Sequence, residues 1–183
     1  MKLIGIDLAG NPRNGSGFCI LDVKDNEKIV TLKILYSDEE IIENVLKNKP
    51  DLVAIDAPLT YNGRNRRCDS DLFKYGALPV TLKGMEMLAL RGTSIAKKLR
   101  NLNIDTIEVF ATASGKILGF YNKNEKIMQR NLILSGLKGD IEKRFLTKDE
   151  IDAIFSAITA FLHLNNSSEE VGDDDGKIVI PKI

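Results

Sequence analysis

The chain is poor in the side chains that most enzymes use as nucleophile partners or soft-metal ligands. It has one histidine and two cysteines in 183 residues. A histidine-based triad or zinc centre would have to rest on His163 alone, which sits at the end of a helical pattern and reads as a residue facing the helix dipole. Cys19 and Cys68 are far apart and match no metal-ligand spacing, so neither a disulfide framework nor a zinc site is expected, and a reducing cytoplasm suits the chain best. Charge of either sign is not in surplus: 26 basic residues meet 26 acidic ones. No global field therefore draws the protein to nucleic acid or to a membrane, and any such contact must come from a local patch. No apolar stretch is long enough to span a bilayer, and the first residues enter a strand pattern at once, so neither export nor anchoring is expected. The glycines between Gly10 and Gly17 match neither phosphate-loop spacing and read as a hairpin loop.

The length suits one sizeable core, and a single domain over 1–183 is expected. Leu3-Ile4-Gly5-Ile6-Asp7-Leu8 is a short apolar run ended by Ala9-Gly10-Asn11-Pro12, a buried strand with Asp7 at its carboxyl end. Gly17–Val23 and Ile29–Tyr36 are two further strand-like runs, which make the first third an antiparallel meander. Ser37 and Glu40 then form a capping-box pattern ahead of the apolar stripe Ile41, Ile42, Val45 and Leu46, a helix that stops before Pro50. Leu52-Val53-Ala54-Ile55-Asp56 is a second buried strand that ends in an aspartate, and a strand after a crossover helix should lie parallel to one already in the sheet. Helices are expected over Gly84–Leu102 and Glu125–Leu137, with a strand at Thr106–Phe110 between them. A last helix opens with the capping box Thr147 and Glu150, and Ile151, Ile154, Phe155, Ile158 and Leu162 repeat on one of its faces. Acidic Ser167–Asp175 reads as a surface loop, and Lys177–Ile180 as a small terminal strand or a docked tail.

The acidic residues carry the chemistry. Asp7 and Asp56 each follow an apolar strand, and on adjacent parallel strands both emerge at one sheet edge, where α/β folds bind ligands. Either one alone reads equally well as a turn residue. Asp149 falls in the first helical turn, where a carboxylate favours the dipole in any case. Asp152 lies one turn further in on the same face, which continues as Ala153, Ser156, Ala157 and Ala160 and so points to close packing against a second surface. Glu108 is a further acidic candidate on a neighbouring strand. The loop from about 60 to 83 carries Arg64, Arg66, Arg67 and Lys74 with Tyr61, Phe73 and Tyr75, cations for phosphate interleaved with aromatic faces for bases. Asp69 within it is placed to pair with Arg67.

Taken in order, Gly5-Ile6-Asp7, Asp56-Ala57-Pro58, Arg67-Cys68-Asp69 with Leu72, Glu108-Val109-Phe110, Asp149 with Asp152-Ala153, and Gly176-Lys177-Ile178-Val179-Ile180-Pro181 resemble a widespread family of predicted RNase H-like nucleases, related to Holliday-junction resolvase-type folds. Ala111 departs from that pattern, standing where proline is expected. The resemblance implies an α/β domain with an RNase H-like mixed sheet, three antiparallel strands followed by parallel ones, flanked by helices. It also implies a metal-dependent nuclease that cleaves DNA or RNA. Such cleavage needs an activated water, a stabilised leaving oxygen and neutralised phosphate charge, which two Mg²⁺ or Mn²⁺ ions supply. Asp7, Asp56 and Asp152 are then the expected metal ligands, with Asp149 and Glu108 as further catalytic candidates, and Arg64, Arg66, Arg67 and Lys74 would bind substrate. Two other readings stay open: a catalytically silent binding module of the same fold, and an actin-like ATPase or kinase relative, which also opens with strand, aspartate and turn. Oligomeric state is not legible.

Overall fold

Strand β1 (Lys2–Asp7) sends alternate side chains to opposite faces of a sheet, and both faces are buried. That is the pattern of a central strand with a layer of helices on each side. The computed structural model describes residues 1–182; residue 183, the last of the expected domain, lies outside the described residues. β2 (Ser16–Lys24) and β3 (Glu27–Leu35) complete the antiparallel meander, helix α1 (Asp38–Asn48) crosses over, and β4 (Leu52–Asp56) returns parallel to β1. β5 (Thr106–Glu108) extends the sheet parallel to β4. With β6 (Leu137–Gly139) at the far edge, the six-stranded order is β5-β4-β1-β2-β3-β6, so β1 is central and neighbours β4, as the two apolar runs suggest.

Parity then divides the core. Ile4, Ile6, Val53 and Ile55 pack with Ile41 and Val45 of α1 and with Ile95 and Leu99 of α3 (Met85–Asn101). Leu3, Leu52 and Ala54 pack on the other side against Ile151, Ile154 and Phe155 of α7 (Lys148–Leu164). Residues 5 and 7 of β1, and 56 of β4, share the parity of the second set. Asp7 and Asp56 are thereby committed to the face that α7 covers. The small residues of α7 have a partner here: a Cβ on Gly5 would lie 2.1 Å from the Ala153 carbonyl oxygen and 2.4 Å from the Ala157 nitrogen. Only a strand without a side chain at residue 5 lets the helix come so close.

Several elements differ from the sequence expectation. The segment after β4 is not an open loop: it holds helix α2 (Arg67–Asp71) and a 3-10 turn (Phe73–Tyr75). A short α4 (Ala111–Ile117) follows β5. Helix α5 (Glu125–Leu134) ends before Leu137, because Gly136 takes a left-handed conformation (φ 96°) that turns the chain into β6 (Leu137–Gly139). β6 adds a parallel edge to β3 and leads into α6 (Asp140–Lys143). The acidic segment is strand β7 (Ser168–Asp173), hairpin-paired with β8 (Gly176–Pro181). Its apolar counterpart is carried almost wholly by β8, whose Ile178 and Ile180 pack with Cys68, Leu72 and Ala113 in a third core cluster. That one-sided division is why β7 looked like a loop. No helix among the described residues is long and apolar enough to cross a membrane.

Candidate metal centre

Asp7 closes β1 and Asp56 closes β4, and the two residues are direct register partners on the parallel pair. Asp152 reaches them from the second turn of α7. One carboxylate oxygen from each of the three lies within 4.8 Å of the others. Asp152 is 7% exposed. Its Oδ2 accepts a hydrogen bond from the Lys148 ammonium one turn earlier on the same helix, while its Oδ1 is buried with no partner. The backbone N–H of Ala111 donates to Asp56 Oδ2 at 3.2 Å. A proline at that position would have no proton to give, so the departure at Ala111 has a direct use.

The electrostatics are those of like charges crowded together out of water. Burial, followed by the charges of Asp56, Asp152 and Asp149, pushes Asp7 well above the usual carboxylate range, and Lys148 opposes this. Burial and then the Asp152 charge push Asp56 up to about 7, while the Ala111 N–H and Lys148 pull it down. Asp152 is raised mainly by burial against the pull of Lys148. Burial leads at all three, and the one ammonium does not offset the burial and the neighbouring carboxylate charges together.

The remaining candidates fall elsewhere. Asp149 is exposed, beside the three but outside the tight cluster. Its carbonyl oxygen lies where a Cβ on Gly17 would sit, at 2.0 Å, so a second glycine, on β2, seats the first turn of α7. Glu108 is buried and turned away from Asp152. It accepts from Arg66 Nη2 at 2.7 Å and Nη1 at 2.9 Å, and from the Leu59 backbone N–H at 2.7 Å. Burial raises its carboxyl, and the Arg66 guanidinium limits the rise.

Arg66 itself, expected among the phosphate-binding cations, is 2% exposed. Asp69 takes its Nε and Nη2, at 3.1 and 2.7 Å, and Thr60 receives the rest of Nη1. A guanidinium so fully engaged holds the chain in place and has no donor left for a ligand. Asp69 therefore pairs with Arg66, and the exposed Arg67 pairs with Asp71 at 3.5 Å. Arg64 is exposed, and so is Lys74, whose ammonium sits 5.1 Å from the Tyr75 ring centroid. Cys68, Asp69 and Glu108 also lie close enough together to suggest a metal site. Arg66 already fills that space, and burial pushes the Cys68 thiol up to about 12, so it is no ready thiolate.

Sequence reasoning missed two of these features, Lys148 over Asp152 and the Arg66–Asp69–Glu108 cluster. The first had a visible signal, a lysine four residues ahead of an aspartate; the second showed only its Arg66–Asp69 half, at a spacing of three. His163 lies in the last turn of α7 as expected, with its Nδ1 3.0 Å from the Ser168 hydroxyl.

No protein-family model and no curated protein matches the sequence. Solved structures do match. RuvC of Thermus thermophilus superposes with a TM-score of 0.56 over 91% of this chain and 97% of that one, at 11% identity. T. thermophilus RuvC in complex with a Holliday junction substrate gives a TM-score of 0.55, 14% identity, and coverage of 91% and 96%. The likeness is one of fold: the chain has the RNase H-like mixed sheet of the RuvC type.

Proposed function

We propose that the protein is a divalent-metal-dependent nuclease that hydrolyses phosphodiester bonds of nucleic acid, with Asp7, Asp56 and Asp152 as the metal ligands. The observation that carries this reading is the convergence of the three carboxylates at the end of a β1–β4 parallel pair, with Asp152 Oδ1 buried and without a partner. A buried anionic oxygen left unbonded is costly unless something cationic binds it. The donor set is all carboxylate oxygen, which suits Mg²⁺ or Mn²⁺ and not a soft metal. When bound, such ions would activate water and neutralise charge on the phosphate and leaving oxygen, in the two-metal manner.

Asp7 and Asp56 are fixed by the sheet and Asp152 by a helix docked on Gly5 and Gly17, so the ligand positions are set before any ion arrives. Asp149 adds negative charge at the rim. Glu108 acts at a distance: with Asp69 it clamps Arg66, and so pins the segment that follows Asp56. Arg64, Arg67 and Lys74 stand on that pinned segment and are the cations available to phosphate. Nucleic acid is the partner this supports, and a four-way DNA junction is the first substrate to try, since the structurally similar RuvC has been captured with one.

The test is cleavage of labelled four-way junction, duplex DNA, single-stranded DNA and RNA in Mg²⁺, Mn²⁺ or EDTA. The reading expects cleavage of at least one substrate, lost in EDTA and lost in Asp7→Asn and Asp56→Asn. Cleavage that persists in EDTA, or survives both substitutions, contradicts it.

A further inference from the structure

Lys148 is the first residue of α7, directly after the Thr147 cap. A cation there opposes the positive end of the helix dipole, and its i,i+4 pair with Asp152 runs in the less favourable order, so helix stability gives little reason for it. Its ammonium instead reaches back over the carboxylates and bonds Asp152 Oδ2. The other oxygen of the same carboxylate is buried and unpartnered. Asp152 thus has one oxygen held by a cation of the chain and one left for a cation from solution.

We infer that Lys148 fills one of two cation positions in the free protein, so that the cluster takes a single divalent ion until nucleic acid is present. The inference rests on the reading of Asp7, Asp56 and Asp152 as a metal site, and deepens it. Charge supports it directly. The three carboxylates bring three negative charges, which one divalent ion and one ammonium neutralise; Asp149, at the exposed rim, is screened by water. A second divalent ion would displace the ammonium and leave the partly enclosed site with a surplus of one positive charge. A phosphodiester supplies negative charge at that place, so the second ion and the substrate favour one another. Lys148 has the freedom this needs, because its side chain is 36% exposed while that of Asp152 is 10% exposed. It can swing out without uncovering the core.

Calorimetric titration of the metal-stripped protein with Mn²⁺, without nucleic acid, tests the inference. The unmodified protein should bind one ion, Lys148→Met should bind two, and Lys148→Arg, which keeps the charge, should bind one. Melting in EDTA and in excess Mn²⁺ gives a second readout: the metal-induced rise in Tm should be larger in Lys148→Met than in the unmodified protein, because the ion then relieves repulsion that no ammonium offsets. Two ions in the unmodified protein, or one ion in both it and Lys148→Met, would overturn the inference and leave the metal site standing. No Mn²⁺ bound to the unmodified protein would overturn both.

Discussion

Asp7 and Asp56 are paired residue for residue at the ends of two parallel strands, and α7 brings Asp152 down on them across a contact with Gly5 that admits no side chain. Two carboxylates on neighbouring strands cannot move apart without breaking the sheet, so their repulsion is built into the fold. The consequences can be measured.

The acidic pair on α7 should separate in function. Asp152 is buried and in the cluster, whereas Asp149 is exposed beside it. Asp152→Asn should abolish the Mn²⁺-induced rise in melting temperature, while Asp149→Asn keeps most of it. In EDTA, Asp152→Asn should melt at or slightly above the temperature of the unmodified protein, since a repelled charge has been removed. The reverse ranking would move the ligand role to Asp149.

Metal-free stability should depend on pH with an unusual sign. The Asp56 carboxyl has an ordinary value of 3.8 and is pushed to about 7 in the folded chain. The folded state thus holds its proton where the unfolded chain has lost it. The stabilisation is fully present below pH 4 and is lost as pH rises through 7, with a slope approaching about 1.4 kcal/mol per pH unit in between. Denaturant unfolding in EDTA at pH 5, 6, 7 and 8 should therefore show falling stability, and Asp56→Asn should flatten the trend. A rise in stability over that range, removed by Asp56→Asn, would show that burial does not govern this carboxyl.

The cations of the 60–83 segment should divide into two kinds. Arg66→Ala strips a buried pair of carboxylates of its counter-ion and should cost about 3–5 kcal/mol in chemical unfolding. Arg64→Ala and Arg67→Ala should change stability by no more than about 0.5 kcal/mol. If those two arginines meet phosphate, each substitution should lower the slope of log affinity against log salt by about 1. An unchanged slope would remove them from the interface.

The glycine contact is testable by one methyl group. Gly5→Ala should destabilise the protein by about 1–3 kcal/mol or more, because backbone and not a flexible side chain stands in the way. It should also weaken Mn²⁺ binding, since the helix it displaces carries Asp152. Gly10→Ala is the control: its nearest neighbour would be the Leu88 nitrogen at 3.4 Å, an ordinary contact, and it should do neither.

The sequence displayed the parts of this site that repeat along the chain. Apolar runs ending in Asp7 and Asp56 exposed the two strands, the Thr147–Glu150 box exposed the start of α7, and the alanines after Asp152 hinted at close packing. What it could not display was which surface those alanines met, because Gly5 and Gly17 look like loose strand residues until a helix lies on them. Arg66 was misplaced for a related reason. An arginine in a polar segment reads as solvent-facing, and its partner Glu108 is 42 residues away, beyond any local pattern. The β7 strand was hidden because its hairpin buries the side chains of the other strand.

The central claim, that Asp7, Asp56 and Asp152 hold a divalent metal, is tested most directly by anomalous diffraction from crystals grown in Mn²⁺. An anomalous peak coordinated by carboxylate oxygens of all three residues is expected, absent from Asp152→Asn crystals grown in the same solution. Well-ordered crystals with no peak between these side chains, or with manganese bound only elsewhere, would contradict it.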